Sequence, residues 1–267
     1  MSKNRAAIVT GGGGYLGKYF INGLSNNYST VYVVDKNPVS KDILKEFSNI
    51  SLIFHELDIS KEKEVIQLFK SIEDDDSESI VTTLLNAAAN NPKITSAGME
   101  GSSRFESFSV ENFSSSVSET LLGTTLMCRE FVKYSQKNDG DYEKIILNIG
   151  SDLSVLAPDN RIYGNDKDGN PIFKPIEYSI SKHGIVGLTK YLAVYLAGRN
   201  FRVNCLSPTG VLDDQDQEFI NKFSKTVPMD RMLNPQELIS HITYLTSSDS
   251  QFLTGQNILV DGGRSIW

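Results

Sequence analysis

The chain has 267 residues, 39% of them hydrophobic, enough to close one sizeable core without disulfides or metal. Its 33 acidic against 26 basic residues give a net charge of -7, with no basic stripe to neutralise a phosphate backbone, so nucleic acid is not an expected partner. Cys128 and Cys205 stand far apart without metal-ligand spacing and read as apolar packers in a reducing compartment. No stretch approaches the ~20 apolar residues of a membrane helix, so the expectation is one cytoplasmic domain over 1–267, metal-free and away from membranes.

In chain order, RAAIVT is a short apolar run, GKYFINGLSNN carries apolar residues at helical spacing, and TVYVVD is a continuous apolar run ending in Asp35. ISLIFHELD predicts a strand, KEKEVIQLFKSI an amphipathic helix, and SIVTTLLNAAA a strand running into a turn. ENFSSSVSETLLGTTLMCREFVKYSQK predicts one long helix, followed by the strand YEKIILNIGS and the helix EYSISKHGIVGLTKYLAVYLAG. FRVNCLSP, NPQELISHITYLTS and QNILVDGG complete the series as strand, helix and strand. Strands alternating with helices imply an α/β fold, a doubly wound parallel sheet with helices on both faces.

The acidic run EDDDSE at residues 73–78 reads as a solvated loop with no function. Two stretches interrupt the alternation: NNPKITSAGMEGSSRFES, and APDNRIYGNDKDGNPIFKPI at residues 157–176. Their Gly, Pro, Asn, Asp and Ser content marks surface loops, and loops of this length in a compact domain are usually functional or disordered.

TGGGGYLG lies between an apolar strand and an amphipathic helix, the context a dinucleotide site requires. Glycines there let the backbone turn sharply and approach a pyrophosphate, while the helix N-terminus offers free amides and the positive end of its dipole. Gly11, Gly14 and Gly17 meet those needs, with Leu16 among them. Asp35 follows about 20 residues later, where a carboxylate can hydrogen-bond the adenosine ribose and repel a 2′-phosphate. NAD(H) is therefore preferred, and NADP(H) stays open because Lys36 could pair with that phosphate.

YSISK sets Tyr178 and Lys182 four apart on one helix face. An ammonium near a phenol favours the phenolate, so the expectation is a Tyr178 pKa lowered from its ordinary value near 10. Ser151 ends the strand KIILNIGS, and such strand ends open onto the ligand crevice. His55, His183 and His241 lack partners at ligand spacing and read as structural.

Together TGGGGYLG, Asp58 in LDI, NAAAN, Ser151, YSISK, RVNCLSP and TGQNILVDGG resemble the short-chain dehydrogenase/reductase family over nearly the whole chain. The resemblance implies a single-domain Rossmann fold, a nicotinamide cofactor, Tyr178 as general acid/base, Ser151 orienting the reacting oxygen, and Lys182 on the nicotinamide ribose. It also implies Asp58 and Ile59 near the adenine, Asn86, Ala87 and Ala88 along the cofactor, and Val211 beside the carboxamide. Members are commonly dimers or tetramers, so a homodimer or homotetramer is expected.

Three positions depart from the family pattern. Tyr15 stands where the compact branch has its middle glycine, a spacing like that of the extended branch of epimerases and dehydratases, although length and C-terminus match the compact branch. Thr120 replaces an asparagine that helps hold a proton-relay water, and Thr209 replaces a glycine.

The loop at 157–176 exceeds what compact members carry, and both flanking elements deliver catalytic side chains, so it forms a lid over the crevice or an oligomer contact. Asn160, Arg161, Tyr163, Asn165, Asp166 and Lys174 suit a polyhydroxylated or phosphorylated ligand, with Arg161 or Lys174 expected on an anionic group. APDNRIY, IEYSISKHGIVGLTKYLA and GQNILVDGG resemble a subgroup linked to bacterial surface-sugar and flagellin modification, which implies a sugar-like small-molecule substrate. The expected activity interconverts an alcohol and a ketone. A dinucleotide-binding regulator without turnover and a nucleotide-sugar epimerase or dehydratase remain the alternatives.

Overall fold

The computed structural model describes residues 4–39, 47, 50–74, 79–91, 94–95, 98–99, 104–138, 140, 142–166 and 168–267. Seven strands form one parallel sheet: β1 (Asn4–Thr10), β2 (Thr30–Asp35), β3 (Ser51–Glu56), β4 (Ser79–Asn86), β7 (Lys144–Ile149), β8 (Phe201–Pro208) and β9 (Asn257–Val260). Their spatial order is β3-β2-β1-β4-β7-β8-β9, the doubly wound arrangement implied by the alternating pattern. A short antiparallel pair, β5 (Ile94–Thr95) and β6 (Gly98–Met99), lies inside the stretch expected to be loop.

Side-chain alternation along the strands builds two cores. On β1, Ala6 and Ile8 face one sheet surface and join Leu68 and Phe69 of α2 (Glu62–Glu73) and Met127 and Phe131 of α4 (Gly123–Lys137). Ala7 and Val9 face the other, against Phe20 and Ile21 of α1 (Gly17–Ser25) and Leu238 and Ile242 of α7 (Glu237–Leu245). Both cysteines are buried and free.

The predicted helix over 111–137 is divided into α3 (Val110–Val117), a π-helical turn (Ser118–Leu122) and α4. The extra residue per turn shifts the apolar stripe between α3 and α4, and periodicity alone does not reveal such a wide turn. Sequence periodicity also passed over α6 (Gln217–Ser224), whose eight residues are capped by the Asp216 carboxylate on the Phe219 N–H at 2.8 Å. The long helix α5 (Ile176–Tyr195) begins directly after Pro175, where it must start to present Tyr178 and Lys182 in its first two turns. The acidic run falls partly outside the described residues; within them, Glu73 pairs with Lys137 at 2.9 Å. Among the described residues no helix is long and apolar enough to cross a membrane.

Candidate active site

The parallel register levels the carboxyl ends of the strands: Thr10 pairs with Asn86, and Asn86 with Asn148. Strand order reverses between β1 and β4, so a crevice opens there. Thr10 closes its floor by accepting the Ala87 and Ala88 N–H groups on Oγ1 at 3.1 and 3.2 Å.

After β1 the chain turns through Gly11 at φ +72°, where a Cβ would lie 2.8 Å from Ala88 Cα. At Gly17 a Cβ would stand 2.0 Å from the Gly12 carbonyl oxygen. These two positions require glycine, the first for its backbone conformation and the second for close approach of helix to loop. Gly14 is exposed, with Gly11 O at 3.3 Å from an added Cβ, a looser constraint. Leu16 precedes α1 and packs against the core. Among the described residues, neither the Tyr15 nor the Leu16 N–H finds a backbone acceptor, so the start of α1 fits a pyrophosphate. The Tyr15 hydroxyl donates to the Leu212 carbonyl, tying this loop to the segment after β8 that carries Val211.

Asp35 accepts the Gly13 N–H and the Asn37 N–H, each at 2.9 Å, which holds its carboxylate at the rim of the glycine loop. Lys36 turns instead to Glu119 at 2.9 Å. Burial works against the Asp58 charge, but hydrogen bonds from Ser60 and the nearby Lys61 hold its carboxyl below the ordinary range. Ile59 buries its side chain against Gly123. Asn86 likewise points inward, donating to Asn148 Oδ1 at 2.9 Å, while Asn148 donates to Thr189 on α5 at 2.9 Å. Its role is to tie strands and helix together beneath the crevice.

Ser151 follows β7 and is buried, with Oγ 3.0 Å from Asp152 Oδ1 and hydrogen-bonded to Tyr178. Lys182 donates to the Ile149 carbonyl at 2.9 Å and lies 5.8 Å from the Tyr178 ring centre. The structure thus brings Ser151, Tyr178 and Lys182 together. It reverses the expected direction of the tyrosine shift: burial pushes the Tyr178 phenol up to about 12 and Asp152 adds to it, against the Ser151 hydrogen bond. Burial pushes Lys182 down to about 8. Desolvation of the phenolate outweighs an ammonium that is spent on a backbone carbonyl.

Two functional candidates, Asp152 and Arg264, were not singled out in the sequence. Asp152 is buried, and its Oδ2 accepts from Thr209 Oγ1 at 2.7 Å and pairs with the buried Arg264 guanidinium, which also covers the Phe223 ring at 4.7 Å. Thr209 therefore replaces glycine to donate a hydrogen bond. No local pattern links residues this far apart in sequence. Thr120 Oγ1, in the π-helical turn, accepts the Asn90 N–H at 3.2 Å.

Residues 157–176 fold back on the same chain. Ile162 and Tyr163 pack with Phe219, Ile220 and Phe223 of α6, and Asp166 accepts the Asp168 and Asn170 N–H groups at 2.9 and 2.8 Å to close the tip. Arg161 points outward with its side chain 90% exposed and forms a forked pair with Asp159 at 2.8 Å, so its place is not in the crevice. Lys174 is inside, 4.1 Å from the Tyr178 ring centre. His183 and His241 each place Nδ1 on the carbonyl four residues back, at 2.9 and 2.7 Å, and His55 lies against Tyr32. Among the described residues no three His, Cys, Asp or Glu groups cluster as a metal site.

A glycine loop feeding a helix N-terminus at the switch point, beside a Ser-Tyr-Lys constellation, defines a dinucleotide-dependent oxidoreductase. The family model described as enoyl-(acyl carrier protein) reductase matches residues 25–265, and the chain belongs to the short-chain dehydrogenase/reductase family. It is 29% identical to post-translational flagellin modification protein A of Campylobacter coli over 100% of both chains. It is 25% identical to NAD-dependent glycerol dehydrogenase of Listeria innocua, covering 98% of this chain and 94% of that one. A short-chain dehydrogenase from Leptospira borgpetersenii with bound NAD+ superposes with a TM-score of 0.82 at 33% identity, covering 99% of this chain and 94% of the other. The chain is an NAD(P)-dependent oxidoreductase, which sets aside a regulator without turnover.

Proposed function

We propose that the protein interconverts an alcohol and a ketone on a sugar-derived substrate, preferring NAD(H), with Tyr178 as general acid/base. The observation that carries this reading is the meeting of Ser151, Tyr178 and Lys182 at the carboxyl end of β7, across from the glycine loop. The NAD preference is supported by the Asp35 carboxylate on the cofactor loop and by commitment of Lys36 to Glu119. Likeness to the flagellin modification protein over the full length, and to a glycerol dehydrogenase, supports a polyhydroxylated substrate.

Gly11, Gly14, Leu16 and Gly17 would hold the pyrophosphate, Asp35 the adenosine ribose, Asp58 and the Ile59 backbone the adenine, residues 86–88 the central part, and Val211 the carboxamide. When bound, the nicotinamide supplies the hydride donor or acceptor. In reduction, Ser151 Oγ orients the carbonyl oxygen and the protonated phenol of Tyr178 delivers the proton to it. In oxidation Tyr178 takes the alcohol proton, so a phenol pushed up to about 12 makes the oxidative rate climb with pH.

The test is a screen of polyols, sugar acids and their keto forms, followed by absorbance at the nicotinamide band. Tyr178→Phe is expected to retain NADH binding and lose ~100-fold or more in turnover. Near-normal turnover would remove Tyr178 as the acid/base.

A further inference from the structure

Lys174 is delivered to the crevice from an anchored base. Its N–H donates to Asn160 Oδ1 at 3.2 Å, and the buried Ile172 and Pro175 fix the chain on either side. Its Nζ lies closer to the Tyr178 ring than Lys182 does, 4.1 against 5.8 Å, and donates to Asn91 Oδ1 at 2.6 Å. That bond uses one of three ammonium donors.

The charge around Tyr178 is unbalanced. Asp152 is taken by Ser151, Thr209 and Arg264. Asp152 and Glu177 act on Lys174 only weakly against its burial, which pushes the ammonium down to about 8, and Lys182 pushes it the same way. Among the described residues, no carboxylate lies within ion-pair distance of either lysine. A half-buried ammonium over the Tyr178 ring, with spare donors and no carboxylate in reach, is able to take an anion from outside the chain.

We propose that Lys174, held by Asn91, is a carboxylate-binding subsite beside Tyr178, and that the substrate is a hydroxy or oxo acid of the sugar-acid type. This rests on the oxidoreductase reading of the same crevice. One ammonium with one supporting amide suits a monoanion, and its closeness to the Tyr178 ring puts that carboxylate within a few bonds of the reacting carbon. Arg161, on the same loop but turned to solvent, has no part in it.

Binding can be read without turnover. Gluconate against glucitol, and glycerate against glycerol, are titrated into the enzyme–NADH complex at constant ionic strength, followed by the fluorescence of bound NADH. Each acid is expected to bind roughly tenfold to a hundredfold more tightly than its neutral partner. Lys174→Met is expected to abolish that gap while retaining NADH binding, Lys174→Arg to keep most of it, and Arg161→Ala to keep all of it. Equal affinity for acid and neutral ligands, or a gap that survives Lys174→Met, overturns the subsite. Oxidation of the neutral polyols in preference to the acids overturns it while leaving the oxidoreductase reading intact. Failure to bind NADH removes both.

Discussion

Individual side chains in this crevice are governed by desolvation more than by their nearest charges. Tyr178 shows it: a lysine four residues away on one face does not lower the phenol, because burial costs the phenolate more than a committed ammonium returns. Asp35 makes a different point, since its carboxylate is a structural acceptor for Gly13 and, in the proposed function, the group that would hold the adenosine ribose. NADH is expected to bind more tightly than NADPH, and Asp35→Ala to narrow the difference; fluorescence titration of both cofactors checks this, and tighter NADPH binding by the unaltered protein would mean that Lys36 dominates. The Asp152–Arg264 pair is buried at both ends, 3% and 7% exposed. Arg264→Gln strands the carboxylate and is expected to cost about 3–5 kcal/mol in urea unfolding, with Asp152→Asn added to it recovering much of the loss. The same variant leaves an uncompensated anion near Tyr178, which favours the neutral phenol, so the oxidative pH profile should move upward.

At the scale of elements, the glycine loop and α1 act as one unit. Gly17 sits where the first turn of α1 passes under the Gly12 carbonyl, with room for a hydrogen and nothing larger. Gly17→Ala is expected to abolish NADH binding by calorimetry while circular dichroism retains the αβ spectrum; unchanged affinity would show that the loop can move aside. The pairing of α6 with residues 160–163 belongs to this scale too. Ile162, Phe223, Val227 and Met232 form a third small core separate from the two that flank the sheet. It packs against the long loop, the segment from which Lys174 reaches over the Tyr178 ring.

Among the described residues, one face of α5 leaves large apolar side chains uncovered. On α5, Tyr191, Val194 and Tyr195 are 64%, 78% and 53% exposed, although the same helix carries Tyr178 and Lys182 on its buried side. Apolar side chains this exposed on a helix belong against another surface, and a second copy of the chain is the expected one. Sedimentation should give a dimer or tetramer for the unaltered protein, and Val194→Asp should shift it toward monomer; a monomer throughout would refute this.

Alternating apolar runs sufficed for the sheet, its parallel sense and the helix that carries Tyr178 and Lys182, because period and burial are local properties of a strand or helix. The cofactor loop was legible for the same reason: steric demand at Gly11 and Gly17 acts over a few residues. The Asp152–Thr209–Arg264 network, the direction of the Tyr178 shift, and the choice of Lys174 over Arg161 for the crevice depend on which distant groups become neighbours and how much water they lose. Those are properties of packing between segments far apart in the chain, and they came into existence only once the sheet had brought the ends of β7, β8 and β9 together.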